Sequence, residues 1–105
     1  MSLVPAQEFL SNCKIAENAY RETVESQARA LLKTANKKLQ NKESWYEKKC
    51  TVCVRAHSVR HNHPAFRNVI LDAAQRAGYK ATLSVEEGYD GVGLLVLELV
   101  PLSQD

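Results

Sequence analysis

Nine apolar or small side chains recur at steps of three and four through the first forty residues: Phe9, Cys13, Ala16, Tyr20, Val24, Ala28, Leu31, Ala35 and Leu39. That spacing follows the turn of an α-helix, and no proline or glycine interrupts it. A helix of about 33 residues is about 50 Å long. A strand of about eight residues spans only about 27 Å. About half of the stripe is therefore predicted to overhang whatever sheet the rest of the chain builds. The escape is a kink around Thr34–Asn36 that folds the helix back as a hairpin.

The chain of 105 residues has room for one domain with a modest core. The sequence predicts a long helix over 5–41 and a β-α-β-β unit over 50–100, together one domain over 1–105. No apolar run approaches the ~18 residues that span a bilayer, and the first nine residues lack the pattern of a secretory signal. The three cysteines, Cys13, Cys50 and Cys53, read as free thiols in a reducing compartment. The expected location is cytoplasmic, with no membrane partner.

A net charge of +2 conceals an uneven distribution. Residues 33–80 carry eleven Lys and Arg against Glu43, Glu47 and Asp72, for +8, and all three histidines. Residues 81–105 carry five acids and no Lys or Arg, for −5. The basic block suits nucleic acid or an acidic protein face. The competing reading is that it pairs with the acidic tail of its own or a neighbouring chain.

Pro5 suits the first position of the long helix. Glu25 and Arg29 form an i,i+4 pair of favourable order, and Lys33, Lys37, Lys38 and Lys42 complement the dipole at its end. Asn41–Lys49 reads as a polar connector. From Cys50 to His57 the residues alternate as in a half-buried strand. Ser58–His63 reads as a loop, and Pro64 opens a second helix with His63 or Asn62 at its cap. Gly78 is the expected left-handed stop. Tyr79–Glu87 alternates again, Gly88–Gly91 makes a hairpin loop, and Val92–Val100 is a strand apolar on both faces. A strand of that kind belongs at the centre of a sheet. The predicted class is α+β: a three-stranded mixed sheet of order 1-3-2, a split β-α-β unit, with the helices on one face. The overhanging stripe and the uncovered sheet face both argue for a homo-oligomer. Tyr20, Val24, Leu31, Leu39, Tyr89, Leu95 and Leu97 are its candidate interface residues.

Chemistry has thinner support. Cys50, Cys53, His57, His61 and His63 are zinc-ligand types. On a regular strand, however, Cys50 and Cys53 point to opposite faces, and Cys53 and His57 lie about 13 Å apart. Cys53, His57, His61 and His63 stay as metal candidates only, with no metal and no cofactor expected. Arg60, His61 and His63 could hold a phosphate at the start of the second helix, against a solvated loop with one capping histidine. The three histidines could also serve acid–base catalysis, or Cys53 with His57 a thiol nucleophile. No orienting carboxylate accompanies them, so no catalytic residue and no enzyme is expected. The glycines of 88–93 lack the strand–loop–helix setting of a phosphate loop. Trp45 and Tyr46 beside Lys42, Lys48 and Lys49 either stack nucleobases or tether a connector. Lys37, Lys38, Lys42, Lys48, Lys49, Arg55, Arg60 and Arg67 are the candidate phosphate contacts.

The layout ends with the run Ala77-Gly78-Tyr79-Lys80-Ala81 and a final apolar strand. It resembles many small uncharacterised phage and viral proteins of α-β-α-β-β order. That resemblance implies a virion-associated protein or an inhibitor of a host factor, and it carries over no functional residue. The expected function is a small, self-associating, protein-binding module. Nucleic-acid binding through the 33–80 block is the alternative.

Overall fold

The computed structural model describes residues 2–88 and 91–102. Helix α1 (Ala6–Leu39) is a single α-helix over its whole length, so the fold-back hairpin does not form. Pro5 stands at its N-cap in extended conformation, and its carbonyl accepts from the Phe9 amide at 3.1 Å. The predicted connector contains a short helix, α2 (Lys42–Glu47). Its side chains close the end of α1: Ser44 Oγ donates to the Lys38 carbonyl at 2.8 Å, and Trp45 Nε1 donates to the Leu39 carbonyl at 2.9 Å. These bonds satisfy carbonyls that a helix end leaves unpaired.

Strand β1 (Cys50–Arg55), a 3₁₀ turn (Ala56–Ser58), helix α3 (Pro64–Arg76), and strands β2 (Tyr79–Glu87) and β3 (Gly93–Pro101) complete the chain. Gly78 has the left-handed φ of 87° that ends α3 and starts β2. The sheet order is β1-β3-β2. Leu97, at the middle of β3, pairs with Val52 on one side and Leu83 on the other. Both ladders are antiparallel. The mixed sheet expected from a parallel β1 and β2 is thus antiparallel at every pairing, because β3 lies between those two strands.

Helices α1 and α3 pack on one face of this sheet. Val24, Ala28, Leu31 and Ala35 of α1 meet Phe66, Ile70 and Ala74 of α3 over Cys50, Val52, Leu95, Leu97 and Leu99. Ala81 and Leu83 border this core. The opposite face presents Leu94, Val96 and Val100 on β3, flanked by Thr51 and Cys53 on β1 and Thr82 and Ser84 on β2. Val96 is buried, between Cys53 and Ser84 in register, but stands outside the core cluster.

The core engages α1 only from Val24 onward. Ahead of it the helix projects, and the molecule measures 68 × 35 × 17 Å. Phe9 is 61% exposed, Leu10 64%, Ile15 67% and Tyr20 44%. From Ala6 to Tyr20 the projection is about 21 Å long.

Candidate functional site

Two surfaces meet where the projection leaves the body of the domain. The first is a cleft of about 690 Å³ lined by Tyr20, Ala56, His57, Val59, Arg60, His61, Asn62, His63, Pro64 and Gly93. The 3₁₀ turn and the following loop bring all three histidines to it. The Arg60 amide donates to Gln27 Oε1 on α1 at 2.9 Å, which fixes the loop against the middle of the long helix. Tyr20 and His63 stack edge to face, with ring centroids 5.5 Å apart.

His63 caps α3, as one sequence reading expected: its Nδ1 accepts from the Ala65 amide at 3.1 Å. That bond bears on the phosphate reading. Pro64 has no N–H, Ala65 is bonded to the His63 ring, and Phe66 and Arg67 donate to the His63 carbonyl at 3.1 and 3.4 Å. The first turn of α3 therefore has no amide left over for an anion. His61 Nδ1 is buried without a hydrogen-bond partner. Among the described residues, no group of three or more His, Cys, Asp or Glu side chains is placed to hold a metal ion.

Nor do the cysteines join the histidines. Cys53 is exposed on the outer sheet face, whereas His57 lines the cleft. Cys50 is buried in the core and donates to the Ala35 carbonyl at 3.6 Å. Burial pushes its thiol pKa up, opposed by the charge of Lys38 and a hydrogen bond with Ser44. A thiol held protonated in this way is structural.

The second surface is the projecting half of α1. Phe9, Cys13, Ala16 and Tyr20 continue the seam that Val24, Ala28, Leu31 and Ala35 bury against the core. Of the candidate interface residues, Val24, Leu31, Leu95 and Leu97 are consumed by the chain's own core, and Leu39 packs at its edge. Those five leave nothing for a partner to cover, or little. Tyr20 is exposed, and Tyr89 lies outside the described residues. The uncovered set is instead Phe9, Leu10, Ile15, Ala16 and Tyr20, with Cys13 half-buried among them. The stripe contained four of these six, but periodicity alone does not say where along a helix the core stops.

The structure divides the basic block. Lys37, Lys38, Lys42, Lys48 and Lys49 surround the end of α1, α2 and the start of β1. Arg55, Arg60 and Arg67 belong to its far end, about 17 Å away along a six-residue strand. All eight are exposed. Among the described residues none of the eight forms an ion pair; the pairs present are Arg21–Glu25, Arg29–Glu25 and Arg76–Asp72. Lys38 Nζ donates to the Thr51 carbonyl at 2.7 Å and so helps to hold α1 on β1. Trp45 and Tyr46 are exposed beside Lys42, with Trp45 anchored on α1.

No helix among the described residues is long and apolar enough to cross a membrane. No protein-family model, curated protein or solved structure matches this chain.

Proposed function

We propose that this chain is a small non-enzymatic binding module that self-associates and presents a composite surface to another protein. The observation that supports this reading is the projecting half of α1, with Phe9 and Tyr20 uncovered on a seam continuous with the core. Apolar surface arranged on one helical stripe is costly to leave in water and is removed by association. Under the resemblance to phage and viral proteins, the second partner is a host factor, met in the host cytoplasm by an inhibitor or a virion-associated protein.

A second reading is favoured by one observation: five exposed lysines without ion-pair partners among the described residues lie on or next to α2, and Lys42 sits beside exposed Trp45 and Tyr46. That combination suits single-stranded nucleic acid, with the rings as a stacking platform.

Light scattering after size exclusion, with absorbance at 260 and 280 nm on the same peak, separates the two. A dimer or larger species free of nucleic acid supports self-association, and a monomer overturns it. A peak carrying nucleic acid, with binding that weakens steeply as salt rises, supports the second reading.

A further inference from the structure

We infer that the projecting half of α1 pairs antiparallel with the same segment of a second copy about a two-fold axis between positions 14 and 15. This rests on the self-association proposed above and names the surface that carries it. The seam is self-complementary in that direction. Phe9 falls opposite the partner's Tyr20, and Cys13 opposite the partner's Ala16, so two aromatic layers flank two layers of small residues. Small residues at the middle allow helices to approach to about 8 Å. The spacing 9, 13, 16, 20 is that of core positions in an antiparallel helical pair.

Space selects the antiparallel direction. Beyond Tyr20 the same face of α1 is already occupied by α3 and the sheet. A parallel partner would have to continue into that space. An antiparallel partner ends there, with its Phe9 beside Tyr20 at the mouth of the histidine cleft, while its own body lies past the first copy's Pro5. Both copies use the same patch, as a two-fold contact requires. The positions beside the seam add no like-charge contact: Leu10 lies near the partner's Glu17.

The size suits a transient pair. A contact about 21 Å long and a helix diameter of about 11 Å wide projects to about 230 Å² on each copy. Interdigitated side chains roughly double this, for a total of about 900 Å², which is the size of a weak, transient contact. The paired state should therefore be a reversible dimer rather than a permanent one.

Cysteine positions make the register measurable. In this arrangement Cys13 and the partner's Cys13 are offset by about 4.5 Å along the axis, and because both face the seam of helices about 8 Å apart their Cα atoms lie about 6 Å apart. That is within the range a disulfide spans and within reach of a short bis-maleimide. Cys53 lies on the outer sheet face and Cys50 is buried. The experiment treats the purified chain with such a reagent, maps the linked peptides of the covalent dimer, and measures solution mass by sedimentation on the untreated protein. The expected product joins Cys13 to Cys13, persists in Cys53→Ser and vanishes in Cys13→Ala. Phe9→Glu, placed far from the core, should sediment as a monomer whose far-ultraviolet circular dichroism matches that of the parent at a dilution where the parent is also monomeric. A dimer linked through Cys13 and Cys53, or one giving no Cys13–Cys13 product, overturns the inference and leaves self-association standing. A parent that sediments as a monomer overturns both.

Discussion

Leu31 and Phe9 lie on one stripe of one helix, yet truncating each to alanine should disturb different equilibria. Leu31 is buried at 3% exposure between α1 and the rest of the core. Replacing a leucine of that kind by alanine removes transfer energy and leaves a cavity, at a cost of about 3 kcal/mol. That is a factor of about 150 in the folding constant and a fall of roughly 12–20 °C in melting temperature for a domain of this size. Phe9 is 61% exposed in the single chain, so Phe9→Ala removes little that the monomer buries. In the pair that surface becomes covered. At about 1.5–3 kcal/mol for full burial, three-fifths of a phenylalanine contributes about 1–2 kcal/mol in each copy. Two copies give about 3 kcal/mol, or a dissociation constant raised about 150-fold. Urea melts well below the association midpoint isolate the first quantity, and sedimentation over a concentration series isolates the second. Leu31→Ala should lower the dilute-solution urea midpoint, and Phe9→Ala should leave it in place while weakening association. If Phe9→Ala destabilises the dilute protein as much as Leu31→Ala does, the division of the stripe into a core half and an association half is wrong.

Three further outcomes follow from local geometry. His63→Ala removes the side-chain cap of α3 and should cost about 1 kcal/mol in thermal melts, whereas His63→Asn, which keeps an acceptor, should recover most of it; equal losses would show that the Nδ1 bond contributes nothing. Lys48 has a left-handed φ of 59° and Gly78 one of 87°, so Lys48→Gly should be neutral or stabilising by up to about 1 kcal/mol and Gly78→Ala destabilising by about 1 kcal/mol; matching signs would contradict the backbone argument. Burial raises the Cys50 thiol pKa in the folded chain, so its contribution is fully present below the unfolded thiol's range, near about 8.5, and is lost as pH rises above it. The drop in urea midpoint between pH 7 and pH 10 should therefore be smaller in Cys50→Ala than in the parent, and an equal drop would remove that account.

The elements legible in the sequence are those whose cause is local. The apolar faces of 94–100 place β3 at the sheet centre because a strand buried on one side only would alternate. Gly78 ends α3 because its φ is one that side chains resist. Helix α2 was not legible, since it forms where Ser44 and Trp45 reach back to carbonyls of α1, a tertiary cause absent from any window of residues. The cleft shows the same limit. Residues 59–63 form the histidine-rich loop the sequence predicts, although Ser58 belongs to the 3₁₀ turn, and the loop's seat against α1 depends on Gln27, more than thirty positions away. The placing of Val24, Leu31, Leu95 and Leu97 in the core was hidden for a different reason. Period 3.6 identifies a face of α1 and gives no position along it. A usable signal was nonetheless present: only ten residues, 40–49, separate the end of α1 from β1. So short a tether keeps the C-terminal half of the helix on the sheet and leaves the N-terminal half to project.

That division also bears on how the projection stays helical. An isolated helix of about 15 residues is marginal in water because its first turn is costly to nucleate. Residues 6–20 avoid that cost by propagating from the half docked through Val24, Ala28 and Leu31. Propagation is nearly balanced for each residue, so in a single chain the projection should fray from Pro5 inward while 24–35 stay closed. Pairing changes this by mass action: each tenfold rise in concentration above the dissociation constant adds stabilisation of up to about 1.4 kcal/mol to the paired state and slows its opening accordingly. Amide hydrogen exchange read at peptide resolution should show protection of 9–20 that increases with protein concentration, beside protection of 24–35 set by the fold and much less sensitive to it. Phe9→Glu should hold 9–20 at the dilute-solution rate at every concentration. Strong protection of 9–20 that does not depend on concentration would mean that the projection is stable alone, and the physical case for a second copy covering Phe9 and Tyr20 would then rest on exposed apolar area only.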